Sequence, residues 1–224
     1  MTAVVIAGYR NDPAGIVAGL GDVDANVRAA ALGALVRSTS IPDDEVSRAW
    51  TAAMADVDPI VRRRGVLAAP QLGVISSAAL LEALSDLDDR VVEAACFAAG
   101  EIEPADPTLI TQLALVIETH QDSLCREAAV AALGSLGVPE GLQGVLRGCE
   151  DKATVRRRAV LALANYDTPE VTDMLRRMTS DRDLQVRQSA EDLLAISEGH
   201  DIGSDESGPT ESESTESEST DVTN

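Results

Sequence analysis

Few residues in this chain have the types and spacing that reaction chemistry needs, and each has a plainer reading beside it. Cys125 stands five residues after His120 at the start of a helical segment, where the helix dipole favours a thiolate nucleophile. It also fills a position that is Val in other segments, which makes it a core thiol. Asp22-x-Asp24-x-Asn26 opens like a calcium loop, but Val27 stands where that loop needs Gly, and Gly33 where it needs a bidentate Glu. Lys152 is the one lysine, so no phosphate-cradling G-x-x-x-x-G-K is present, and Gly19-Leu20-Gly21 does not continue as a dinucleotide fingerprint. There is no G-x-S-x-G, and His120 and His200 alone cannot build a His-rich metal site. The sequence therefore points to no catalytic residue, no metal and no cofactor. What remains is binding chemistry in two arginine triplets, Arg62 to Arg64 and Arg156 to Arg158.

The elements that position those triplets come from a repeat. Near-copies of Asp22 to Leu35 recur along the chain, with anchors at Val27, Val61, Val92, Cys125, Val155 and Val186, spaced by 34, 31, 33, 30 and 31 residues. A period in this range, built from short helical patterns, marks a stacked helical array. Each unit reads as two helices around an Asp-rich turn, the first helices at 13–20, 44–55, 77–85, 107–119, 139–149 and 169–179. Asp24, Asp58, Asp89, Asp122 and Asp183 stand three residues before their anchors as caps of the second helices, with Lys152 as the exception. Four residues after the anchors comes a small rung of Ala31, Gly65, Cys96, Ala129, Ala159 and Ala190. The next position reads Leu32, Val66, Phe97, Val130, Val160 and, in the last unit, Glu191. Polarity at that point suits a terminal unit facing water. Residues 2–9 read as a short capping helix, and Trp50, at helical spacing with Val46, Ala53 and Met54, as a packing residue.

The D-x-D-x-x-V-R-x-x-A-x-x-A-L pattern over roughly residues 10–197 resembles the HEAT repeat, in particular the bacterial phycobilisome-lyase (PBS lyase) HEAT-like repeat. That resemblance implies an all-α, right-handed α-α superhelix of about six helix pairs, armadillo-like, whose second helices line a concave, protein-binding side. It also implies a ladder between neighbouring units that joins each arginine to the acid six residues before it. Here this gives Asp22 with Arg28, Asp56 with Arg62, Glu150 with Arg156 and Asp181 with Arg187, while His120 meets Arg126 and the third unit has Leu87 and Glu93 instead. An arginine in the first turn of a helix opposes the macrodipole, which is an independent reason for it to find a carboxylate. Two enzyme families share the repeat. Bilin lyases do so without any further motif shared here, and deoxyhypusine hydroxylases hold two irons with His-Glu pairs, a dipeptide this chain does not contain.

Composition narrows the partner. The formal net charge is −20; aromatic residues are 2%, and Ala, Leu and Val carry the hydrophobic share. An acidic body repels phosphate backbones, so nucleic acid is not expected, nor is a place among HEAT-like DNA glycosylases. No apolar run is long enough to span a membrane, and 1–12 lacks the basic start of a signal peptide. Three cysteines, Cys96, Cys125 and Cys149, at no metal-ligand spacing suit reduced thiols in a cytoplasmic protein. Residues 198–224 carry nine acids among Ser and Thr, with no Lys or Arg, and read as a disordered tail beside a 1–197 solenoid. The expected function is a non-catalytic scaffold or adaptor that binds another protein, an acidic extended segment suiting the charge. If Arg62 and Arg156 serve the ladder, Arg63, Arg64, Arg157 and Arg158 are left to face such a partner as two basic spots roughly 30 Å apart, given helix layers of about 8–10 Å.

Overall fold

The computed structural model describes residues 2–201, and side chains through 197; residues 202–224, most of the expected tail, lie outside that range. Thirteen α-helices and one 3-10 turn make up the described regular structure, and there is no strand among the described residues. Helix α1 (Thr2–Arg10) is followed by six pairs: α2 (Pro13–Leu20) with α3 (Ala25–Arg37), α4 (Asp43–Met54) with α5 (Pro59–Leu72), and α6 (Ser77–Ala83) with α7 (Asp89–Ala99). Then come α8 (Pro107–Thr119) with α9 (Ser123–Leu136), α10 (Leu142–Gly148) with α11 (Ala153–Leu163), and α12 (Pro169–Met178) with α13 (Leu184–Asp201). The expected helix at 139–149 begins as a separate 3-10 turn, Pro139–Gly141, and α13 runs four residues past Ser197.

The turns start the second helices by one local device. Asp24, Asp58, Asp122 and Asp183 each accept the backbone N–H two residues on, at 2.8, 2.9, 2.9 and 3.1 Å, closing an orphan donor of the first turn. Lys152 caps α11 without a side-chain bond. The third unit corrects the sequence register. Its cap is Asp88, which accepts from Arg90 N at 3.0 Å, and Asp89 is the first helical residue. The unit therefore starts one residue earlier than expected. Its anchor is Val91, its small rung is Ala95, and Cys96 takes the buried slot assigned above to Phe97.

Second helices stack on second helices, and α1 packs against α3 in the same row. The small rung of Ala31, Gly65, Ala95, Ala129, Ala159 and Ala190 is buried throughout, which allows that close stacking. One close approach is at Gly134, where an added Cβ would lie 2.6 Å from Ala162 Cβ. Around the rung, Leu32, Val66, Cys96, Val130 and Val160 are fully buried, whereas Glu191 in the last unit is exposed. The first helices close the other side. Trp50 of α4 is buried, and its Nε1–H donates to the Gly65 carbonyl of α5 at 3.0 Å, satisfying the indole's one polar group.

Candidate protein-binding face and interunit ladder

The arginine that follows each anchor works between units. Arg28 donates Nε and NH2 to the two carboxylate oxygens of Asp56 at 2.8 and 2.7 Å, while its NH1 donates to the carbonyl of Asp22 in its own turn at 3.0 Å. Arg62 does the same with Asp86 at 2.7 and 2.8 Å and with the Asp56 carbonyl at 2.9 Å. Arg126 forks onto Asp151 and Arg156 onto Asp181, both with NH2 contacts of 2.8 Å. The turn before each arginine thus supplies a backbone oxygen, from the residue six before Arg28, Arg62 and Arg126 and from Asp151, five before, for Arg156, and the carboxylate comes from the following unit. Each carboxylate also holds its own turn, as when Asp56 accepts from Asp58 N and Asp86 from Asp88 N, both at 2.9 Å.

None of the expected pairings is a carboxylate pair within one unit: Asp22, Asp56 and Asp181 meet Arg28, Arg62 and Arg187 only through their backbone carbonyls, and three further positions differ. Glu150 is not in the ladder: its half-exposed carboxylate lies near Arg147 and Arg177, and Asp151 takes the rung. Asp86, hidden by the register slip, takes the rung assigned to Leu87. Arg187 donates to the Asp181 carbonyl at 2.7 Å but has no carboxylate partner among the described residues. The guanidinium bonds hold Asp56, Asp86, Asp151 and Asp181 below the usual carboxylate range, against burial, which works the other way.

Between the third and fourth units the ladder is interrupted. Val92 stands in the arginine slot and His120 in the aspartate slot. His120 Nδ1 accepts from Asp122 N at 3.2 Å, the part played elsewhere by an aspartate oxygen. All three cysteines are buried. Burial pushes the thiols of Cys125 and Cys149 up to about 12 and that of Cys96 upward, so at neutral pH they are protonated, whereas nucleophilic chemistry needs a thiolate.

The opposite edge of each second helix points away from the core. Relative to the ladder position, residues two before, two after and five after share a face at helical spacing. In α5 these are Ile60, Arg64 and Leu67; α7 contributes Phe97, α9 Leu124 and α11 Leu161. Phe97, Leu124 and Leu161 are 51%, 56% and 51% exposed, a high value for the chain's one Phe. Arg63 is exposed, Arg64 half-buried with its guanidinium lying over Gly33, and neither has an ion-pair partner among the described residues. The second triplet differs. Arg157 forks onto Asp183 at 3.0 and 2.9 Å, holding that carboxyl down at about 2, and Arg158 lies 3.6 Å from Glu127. The structure therefore brings Arg63 and Arg64 to an open apolar face and engages Arg157 and Arg158 within the fold, so two equal basic spots are not present. Phe97, Leu124 and Leu161 could have been found as a stripe five after, or two before, the ladder position.

A family model described as HEAT repeats matches residues 110–195. No curated protein matches the sequence. Among solved structures, the chain is similar to an engineered protein at 16% identity, covering 82% of this chain and 95% of that one, with a TM-score of 0.55. It is also similar to a designed armadillo repeat protein at 17% identity, with coverage of 80% and 97% and a TM-score of 0.55. Another designed armadillo repeat protein, in complex with the peptide (KR)4, aligns at 17% identity over 80% and 97% with a TM-score of 0.56. At these identities the likeness defines the fold: an all-helical repeat solenoid of the HEAT and armadillo kind. Among the described residues no helix is long and apolar enough to cross a membrane.

Proposed function

We propose that this chain is a non-catalytic scaffold that binds another protein along the face of its second helices, centred on the first three units. The observation that carries the reading is the coincidence on one face of two arginines without ion-pair partners among the described residues, Arg63 and Arg64, with the half-exposed side chains of Ile60 and Phe97. Exposed apolar residues next to unspent charge are the usual make-up of a docking surface. A designed armadillo repeat protein of similar fold is in complex with the peptide (KR)4, which supports a peptide as the partner here. Here the unspent charge is positive, so the reading reverses the sign: the partner is an extended segment with acidic and apolar side chains. Arg157 and Arg158, already committed to Asp183 and Glu127, contribute less.

Fluorescence anisotropy with a labelled Glu-rich peptide carrying two leucines, against labelled (KR)4, tests this. The acidic peptide should bind, and Arg63→Glu with Arg64→Glu should weaken it roughly tenfold, or about 1.4 kcal/mol. Preference for (KR)4, or indifference to the charge reversal, would sink the reading.

A further inference from the structure

Three departures from the repeat meet at one place. The residue before the ladder position is Val27, Val61, Val91, Val155 and Val186 in five units but Cys125 in the fourth. The ladder position is arginine in five units but Val92 in the third. The carboxylate slot is Asp22, Asp56, Asp86, Asp151 and Asp181, but His120 in the fourth. All three lie at the boundary between α7 and α9, where Asp89 opens α7. There His120 Nε2 is 3.7 Å from Asp89 Oδ1, and Cys125 Sγ donates to the Asp89 carbonyl at 3.1 Å. The thiol sulfur, an imidazole nitrogen and a carboxylate oxygen lie within 4.8 Å of one another. A tetrahedral zinc with bonds of 2.0–2.3 Å has ligand-to-ligand edges of about 3.3–3.8 Å, so small side-chain shifts suffice.

We propose that this boundary binds one divalent cation of the zinc class through Cys125 Sγ, His120 Nε2 and the Asp89 carboxylate, with water as fourth ligand, fastening the third unit to the fourth where the arginine rung is missing. The donor set of sulfur, imidazole and carboxylate suits zinc and not calcium or magnesium, which take oxygen. The charges around the sulfur are those of Asp89, Glu93 and Asp122, all of which disfavour a lone thiolate and favour a cation. Cys125 is in the first turn of α9, where the helix dipole supports a metal-bound thiolate. Protons balance simply. The thiol proton leaves to solvent, and the ring proton of His120 moves from Nε2 to Nδ1, giving up the long bond from Asp122 N. Thiolate and carboxylate then neutralise the ion. Asp89 is 60% exposed, which leaves the approach open from its side. A core thiol and a turn-capping histidine would explain each residue separately, but not why the three departures share one boundary.

The test uses the full chain, stripped with a chelator and titrated with Co²⁺ and Zn²⁺. One equivalent should bind, with a thiolate-to-cobalt charge-transfer band and tetrahedral d–d absorption. Cys125→Val, which installs the residue of the other five units and should fold by circular dichroism, should abolish the band. Cys96→Val and Cys149→Ala should keep it, and His120→Gln should weaken binding by roughly 10-fold to 100-fold. Absence of a charge-transfer band overturns the site, as does a band that survives Cys125→Val. Binding only to exposed acidic groups shows no sulfur band and also overturns it. The outcome does not depend on the peptide experiment above.

Discussion

The guanidinium of Arg62 straddles a unit boundary: Nε and NH2 grip the carboxylate of Asp86 in the next turn at 2.7 and 2.8 Å, while NH1 holds the Asp56 carbonyl of its own turn at 2.9 Å. One side chain therefore fixes the turn it belongs to and the distance to its neighbour. Both partners are mostly shielded, so the pair exceeds an ordinary surface ion pair, yet removal of one member strands the other. Arg62→Met should cost about 2–3 kcal/mol in urea unfolding. Asp86→Asn keeps an oxygen for Asp88 N and should cost less. The double substitution should show coupling of about 1–2 kcal/mol. Additive losses would mean that the contact contributes no interaction of its own.

The same ladder sets an acid limit. Hydrogen bonds from arginine hold Asp56, Asp86, Asp151 and Asp181 below the ordinary carboxylate value of 3.8 in the folded state. A depressed folded value means that the stabilisation is complete above the unfolded pKa and fades as pH falls through the folded one. The gap in urea midpoint between the native sequence and Arg156→Leu should therefore be wide at neutral pH and close below about pH 3–4. At Asp183, held at about 2 by Arg157, Arg157→Gln should return the carboxyl towards 3.8 in an NMR titration. A gap that widens in acid would contradict the assignment.

How far these features could be read from sequence depended on whether they were local. An aspartate two residues before an amide it caps is a local pattern, so Asp24, Asp58, Asp122 and Asp183 mark their helices directly. The third unit offers Asp86, Asp88 and Asp89 within four residues. Asp86-x-Asp88-x-x-Val91 keeps the D-x-D-x-x-V spacing of the other units, but with Val92 replacing arginine the frame one residue later also has an Asp and a Val in place, and packing decides between them: Asp86 faces Arg62. That single slip also moved Phe97 from the open face into the core. Spacing alone could not say whether the acid six residues back or the one in the next unit meets the guanidinium, because both lie in equivalent turns. Nor could it show that Asp183 and Glu127 already hold Arg157 and Arg158, since those partners come from neighbouring helices.

The open face and the core should respond differently to truncation. Phe97→Ser and Leu161→Ser remove side chains that are half exposed and should change stability by no more than about 0.5 kcal/mol. Leu133→Ala, at a fully buried position of α9, should cost about 2–5 kcal/mol. If the two face variants destabilise as much as Leu133→Ala, those side chains pack within the chain and are not available to a partner. Thermal unfolding of the three variants decides between these outcomes.

The interrupted rung allows the ladder to be rebuilt. Val92→Arg alone places a guanidinium at a buried position opposite His120, with no carboxylate in the slot, and should destabilise by about 2–4 kcal/mol. His120→Asp alone gives back the oxygen that Asp122 N meets elsewhere and should be close to neutral. Together they should recover most of the loss, because the introduced guanidinium and carboxylate would then stand to each other as Arg62 and Asp86 do. The expected coupling is about 1–3 kcal/mol. Urea unfolding in the presence of a chelator measures it without any contribution from a bound cation. Simple additivity would show that the ladder geometry does not carry over to this boundary, and that α7 and α9 are held by their buried side chains and the Cys125 thiol bond to the Asp89 carbonyl without a rung.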